Sequence, residues 1–171
     1  MTLNGVTLRL VEGADAGFIL QLRSDESLNT HISVTKNDIA DQLKWIRNYK
    51  EREADALEFY FLILYQNEAV GTIRIYDIQG RSFCWGSWII QRGNPVHVAI
   101  KSALLIYDYG FSVLKYDQSH FDVRVENTSV NKFHQRMGAE LVKSDAVNNY
   151  YIMKKAVYLQ QREQLLKFIS R

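Results

Sequence analysis

Residues 126–139 spell ENTSVNKFHQRMGA. Wound as a helix from Asn127, the stretch places Asn127, Asn131 and His134 at i, i+4 and i+7 on one polar face, with Val130, Phe133 and Met137 on a separate apolar stripe. Long charged side chains usually hold the polar face of a solvated helix. Here two amides and an imidazole hold it, and Lys132 and Arg136 form a basic pair elsewhere. His134 is either a half-exposed surface histidine or a functional side chain. A second candidate is the junction WIIQRGNPVHVA, residues 88–99, where a strand-like run meets Gly93-Asn94-Pro95 and a helical pattern follows at once. Asn94 suits a cap and Pro95 a first helical turn, so free amides of Val96, His97, Val98 and Ala99 would face one point together with the positive end of the helix dipole. Phosphate oxygens fit such a point; a plain strand-to-helix turn fits the pattern too. Third, Asp122, Arg124 and Glu126 share one face of a strand by period-two alternation, either as an ion-paired face or as carboxylates able to take a proton, and Asp77 ends another strand.

These groups need elements to hold them. The periodicity predicts a strand over 6–11, a helix over 14–23, a connection over 24–34, and a helix from a capping-box-like start at Thr35-Lys36-Asn37-Asp38 to about Arg52. Strands over 57–65, 69–78 and 81–90 follow, joined by links short enough for antiparallel hairpins. A long helix over 95–114 leads to a strand over 120–125, a helix over 127–137 closed by Gly138, two short strands at 141–142 and 150–153, and a C-terminal helix at about 157–169. The order implies one α+β domain over 1–171.

Composition limits the function classes. A chain of 171 residues is long enough to bury a core, and 47% hydrophobic with 23% charged residues is an ordinary globular balance. No apolar run approaches the ~20 residues of a membrane span and no secretory segment opens the chain, so a cytoplasmic protein with no membrane partner is expected. The single cysteine, Cys84, excludes an internal disulfide and a cysteine-cluster metal site, and in Phe83-Cys84-Trp85 it reads as a buried filler rather than a nucleophile. A net charge of +2 from interspersed charges gives no broad basic face, so no nucleic-acid partner is expected.

The opening VTLRLVEGADAGFILQLRSD, the segment EAVGTIRIYDI, the strand WGSWII and ENTSVNKFHQRMGA, in this order, resemble the GNAT N-acetyltransferase superfamily over about residues 6–153. More narrowly they are similar to a subgroup related to ribosomal-protein alanine acetyltransferases, whose members often acetylate amino sugars. The resemblance implies a mixed, mostly antiparallel sheet of about seven strands flanked by helices, splayed between the fourth and fifth, 81–90 and 120–125. It implies acetyl-CoA in that splay, with backbone near Trp88, Ile89 and Ile90 pairing with the pantetheine arm and an amide near Ile89 polarising the thioester carbonyl. The diphosphate would rest on Asn94, His97, Val98 and Ala99. Against the family's Q/R-x-x-G-x-G/A, Asn94-Pro95-Val96-His97-Val98-Ala99 fits well only at Ala99, and His97 replaces a glycine, so His97 either weakens the hold or touches a phosphate itself.

The resemblance further implies that Asn127 meets the pantetheine and that His134, where many members carry tyrosine, protonates the departing thiolate if its pKa is tuned upward. Asn131 would orient that ring, and Lys132 or Arg136 would meet the nucleotide phosphate. Asp122 or Glu126 would take the ammonium proton through water. Arg23, Asn29, His31, Trp45 and Tyr49 would lie near the cleft, with Tyr76 and Trp85 stacking on a sugar or base. The expected protein is a monomer or homodimer that acetylates a small primary amine by direct attack, without a metal. A nucleotide-linked amino sugar is the first acceptor; a protein amino terminus, a polyamine, or a non-catalytic CoA-binding domain are the alternatives.

Overall fold

The computed structural model describes residues 1–25, 28 and 38–169. In chain order it shows β1 (Thr2–Leu3), β2 (Val6–Leu10), a 3-10 turn (Gly13–Asp15) running into α1 (Ala16–Ser24), α2 (Ile39–Ala54), β3 (Phe59–Tyr65), β4 (Glu68–Gln79) and β5 (Ser82–Ile90). There follow α3 (Val96–Asp108), a π turn (Tyr109–Val113), β6 (Gln118–Arg124), α4 (Thr128–Arg136), β7 (Glu140–Ser144), β8 (Asn148–Lys154) and α5 (Lys155–Ile169). Among the described residues the strands form one sheet of eight in the order β1-β2-β3-β4-β5-β6-β8-β7. The expected α+β architecture is present, with eight strands rather than about seven. The extra one, β1, is a two-residue strand paired with β2, too short to leave a period in the sequence.

Every strand pair is antiparallel except β5 with β6. β3 reads as an unbroken apolar run because it is buried on both faces. Phe59, Phe61 and Ile63 pack in the core with Leu104, Leu105 and Ile106 of α3, while Tyr60 and Leu62 pack with Ile19 of α1 and Ile46 and Tyr49 of α2. Thus the sheet has an α3 face and an α2 face.

The cap of α2 is Asp38, whose Oδ1 accepts from the Ala40 amide at 2.7 Å; the rest of the expected capping box, Thr35 to Asn37, lies outside the described residues. The C-terminal helix begins at Lys155, directly after β8, rather than at 157. It docks on its own domain. Tyr158, fully buried, donates its one hydroxyl hydrogen between Asp108 Oδ1 at 2.7 Å and the Leu104 carbonyl at 2.9 Å, and Arg162 grips the Asp108 carboxylate with Nε and Nη2, each at 2.8 Å. A planar guanidinium fork on a carboxylate fixes direction as well as distance, so α5 is locked to α3.

Candidate active site

Strands β5 and β6 pair only at their starts, Ser82 with Gln118 and Phe83 with Ser119. From Cys84 to Ile90 on one side and His120 to Arg124 on the other, no ladder joins the two edges, although β5 stays paired with β4 and β6 with β8. The expected splay is therefore present and confined to this seam. At its closed end Phe83 lies on Gly110, where an added Cβ would come within 2.2 Å of the ring.

A bulge shapes the β5 edge. The register steps from Arg74 opposite Gly86 to Thr72 opposite Ile89, and Ser87 takes φ +47°. A regular strand would send Trp85 and Trp88, three apart, to opposite faces. The bulge returns them to the same face, with ring centroids 5.5 Å apart, and the Trp88 indole donates to Ser102 Oγ at 3.1 Å. Beyond it, the Gln91 amide donates to the Val70 carbonyl at 2.8 Å, and the Ile89 carbonyl presses so close to β4 that a Cβ on Gly71 would lie 2.2 Å from it. Backbone direction alternates along a strand, so Ile89 and Gln91 turn to β4 while Trp88 and Ile90 turn to the parted side. This corrects the expectation for Ile89: its backbone belongs to the ladder with β4.

The start of α3 departs from its expected chemistry in two details. Pro95 is the cap residue itself, extended at φ −60° and ψ 144°, and Asn94 caps nothing there, its Nδ2 donating back to the Gln91 carbonyl at 2.9 Å. No side chain caps the leading amides and no acid stands in the first turn. Val98 is fully buried in the core and its amide is taken by the Pro95 carbonyl at 2.9 Å. The half-buried His97 lays its ring edge-on against Tyr65 of β3, 5.5 Å between centroids, so its side chain leans toward β3.

On the α3 face, aromatic rings close the floor of the seam. Trp85 from β5 and Phe121 from β6 stand 6.1 Å apart, and the His134 ring of α4 meets both, at 5.3 and 4.2 Å. The amide-and-imidazole face of α4 thus turns inward rather than out. Asn127 caps the helix, its Oδ1 accepting from the Val130 amide at 3.4 Å. Asn131 is a buried strut: Nδ2 donates to the Arg124 and Asn127 carbonyls, both at 2.8 Å, while Oδ1 accepts from Tyr151 Oη at 2.7 Å and Asn149 Nδ2 at 2.9 Å. Two donors and two acceptors exhaust an amide, which leaves nothing for a ligand or for the His134 ring. Burial pushes the His134 imidazole down to about 3, the opposite of the upward tuning that acid work would require. Lys132 and Arg136 are exposed on the same helix.

On the α2 face stand Tyr76, Cys84 and Asp122. Tyr76 pairs with Cys84 across the ladder and Ile75 with Trp85, so Tyr76 and Trp85 lie on opposite faces and do not stack on one ligand, contrary to expectation. The Arg74 guanidinium lies 4.4 Å over the Tyr76 ring and 5.8 Å from Trp45 of α2. Glu58, buried, takes Arg52 Nε at 2.6 Å and stands 3.1 Å from Arg74 Nη1. Burial pushes the Cys84 thiol up to about 12, with the Asp122 charge adding to it, which suits a filler and not a nucleophile. Asp122 is exposed, and among the described residues no ion pair joins it to Arg124. β6 ends at Arg124, so Glu126 sits in the turn before α4 rather than on the strand. Arg23 occupies the last turn of α1; Asn29 and His31 lie outside the described residues. Sequence reasoning missed Tyr107, whose ring packs 5.3 Å from Trp85; its helical spacing from Leu104 and Ala103 marks it only as core. It also passed over Phe121, legible as the inward neighbour of Asp122.

A model of the acetyltransferase (GNAT) domain matches residues 6–140. No curated protein matches the chain. Among solved structures, apo FdhC, a nucleotide-linked sugar GNAT, is 45% identical and superposes with a TM-score of 0.88 over 96% of this chain and 95% of that one. Spermidine N-acetyltransferase from Vibrio cholerae, solved with CoA and spermine, superposes with a TM-score of 0.79 at 19% identity over 92% of this chain and 99% of that one, a likeness of fold alone.

Proposed function

Because the chain belongs to the GNAT acetyltransferase family, we propose that it transfers the acetyl group of acetyl-CoA to the primary amine of a nucleotide-linked amino sugar. The observation that carries the reaction is the seam between β5 and β6, an unpaired interior edge open along one side. The acceptor class is supported by the 45% identity, over nearly both whole chains, to a nucleotide-linked sugar GNAT.

Acetyl-CoA supplies an activated thioester, and the residues present fit it. The outward backbone of Trp88 and Ile90 pairs with an extended amide chain as a strand would, and it aims a fixed amide where the thioester carbonyl gains charge. The uncapped amides at Val96 and His97 and the helix dipole of α3 hold the diphosphate, with Ala99 keeping the approach open and the exposed Lys132 as a further cation for the nucleotide phosphate. The acceptor lies on the α2 face over Tyr76 and Arg74, near Arg23. Its ammonium gives a proton through water to Asp122, with Glu126 the second carboxylate of that region. The amine then attacks the thioester carbonyl directly, the C–S bond breaks, and the proton shed by the new amide nitrogen goes to the departing sulfur, so no enzyme nucleophile is used. His134, neutral at physiological pH, offers the leaving sulfur a hydrogen bond rather than the proton of an imidazolium.

Incubation of the protein with acetyl-CoA and, separately, nucleotide-linked amino sugars, polyamines and amino-terminal peptides, followed by free thiol, tests the reading. Thiol release is expected with an amino-sugar nucleotide at least tenfold above the other classes in kcat/KM, about 1.4 kcal/mol in transition-state terms. Release only with polyamines or peptides moves the acceptor, and tight CoA binding without release from any amine makes the domain non-catalytic.

A further inference from the structure

Three buried polar atoms around one ring have no hydrogen-bond partner: Trp85 Nε1, Tyr107 Oη and His134 Nδ1. They come from β5, α3 and α4. The Trp85 ring lies 5.3 Å from the Tyr107 ring and 5.3 Å from the His134 ring, and the three residues are 4%, 0% and 4% exposed. A buried polar atom without a partner is costly, and folded proteins rarely leave one unsatisfied, still less three on neighbouring side chains. Burial raises the Tyr107 hydroxyl and the nearby Trp85 indole N–H draws it back down, so these two polar ends lie close to one another, while neither forms a hydrogen bond of good geometry. Polar groups that face one another beyond direct reach are the usual seat of a bridging water.

We propose that one internal water sits among Trp85 Nε1, Tyr107 Oη and His134 Nδ1, and that Tyr107 is thereby a positioning residue for His134. The indole N–H only donates, so the water accepts from it; a water that accepts there has both hydrogens free, one for His134 Nδ1 and one for Tyr107 Oη. Receiving a hydrogen bond at Nδ1 places the single proton of the neutral imidazole on Nε2. Of the two ring nitrogens only Nδ1 is sealed without a partner, so Nε2 is the one left to the seam between Trp85 and Phe121. The water and the tautomer stand whatever the acceptor is. Only the use of Nε2–H, a hydrogen bond to the leaving sulfur, rests on the acetyltransferase reading.

Nitrogen-15 NMR of the His134 ring tests the arrangement in the whole protein. The expected spectrum between pH 5 and 8 is a single neutral tautomer, protonated at Nε2 and bare at Nδ1. Tyr107→Phe keeps the ring that stacks on Phe111, so the fold is retained. It is expected to mix the two tautomers and to lower kcat for thiol release roughly tenfold or more while KM for acetyl-CoA stays within about twofold. A wild-type ring protonated at Nδ1, or ring signals and kcat both unmoved by Tyr107→Phe, overturns the proposal. Wild-type silence toward every amine counts against the acetyltransferase reading and not against the water or the tautomer, since the ring signals are read without turnover.

Discussion

His134 shows how burial decides what a side chain does. The native state holds it neutral with its pKa near 3, while an unfolded chain binds the proton below about 6.5. The unfolded state therefore takes up the extra proton, and stability falls as pH drops from about 6.5 toward 3, by up to about 1.4 kcal/mol per unit from this group. Urea midpoints measured across that range are expected to decline for the wild type and to decline less for His134→Phe, which keeps an aromatic ring against Phe121 and Trp85. Equal slopes for the two proteins would show that this imidazole is not the buried group responsible. The position of His134 was legible from its spacing with Asn127 and Asn131, and its environment was not. Its neighbours Trp85, Phe121 and Tyr107 come from elements far apart in the chain, and no local pattern records that they meet around it.

Among the elements, the strands from β2 to β5 were legible within a residue or two because each alternates or runs apolar between turn residues. β7 and β8 proved longer than the short expected runs. All five residues of β7 are exposed, so no buried face leaves a period to follow. The bulge at Ser87 left no signal, since serine is common in strands and only the two tryptophans three apart hint at a change of face. The docking of α5 was also illegible, as Leu159, Leu165 and Leu166 suit either a home core or a partner. The structure settles it through Asp108, which accepts from Tyr158 and Arg162 together. Asp108→Ala is expected to cost on the order of 3 kcal/mol in urea unfolding and to speed amide exchange along α5 before the rest of the molecule. Loss of stability without early exchange in α5 would mean that the helix is held by its apolar contacts instead.

For the molecule as a whole, the decisive feature is a sheet interrupted in its middle, and period-two alternation cannot show which strands fail to pair. That knowledge came from the ordered resemblance of several segments, not from any one of them. CoA is expected to raise the thermal midpoint by several degrees at a hundredfold excess over its dissociation constant, equivalent to about 2.7 kcal/mol, and to slow exchange at the amides of Trp88 and Ile90 more than at Ile89. Protection spread evenly over β5 would contradict the alternation of its edge.

An open strand edge normally invites any passing peptide, and natural sheets guard theirs with charge, proline or cover. Between β5 and β6 the guard is thickness. Trp85, Phe121 and His134 line the bottom of the gap, so a polypeptide strand, which must lodge side chains above and below its own plane, collides with the rings at every second residue. A slender amide chain almost bare of branches does not. On the proposed function, the aromatic lining acts as a sieve, admitting a cofactor arm to backbone chemistry that would otherwise be an aggregation hazard.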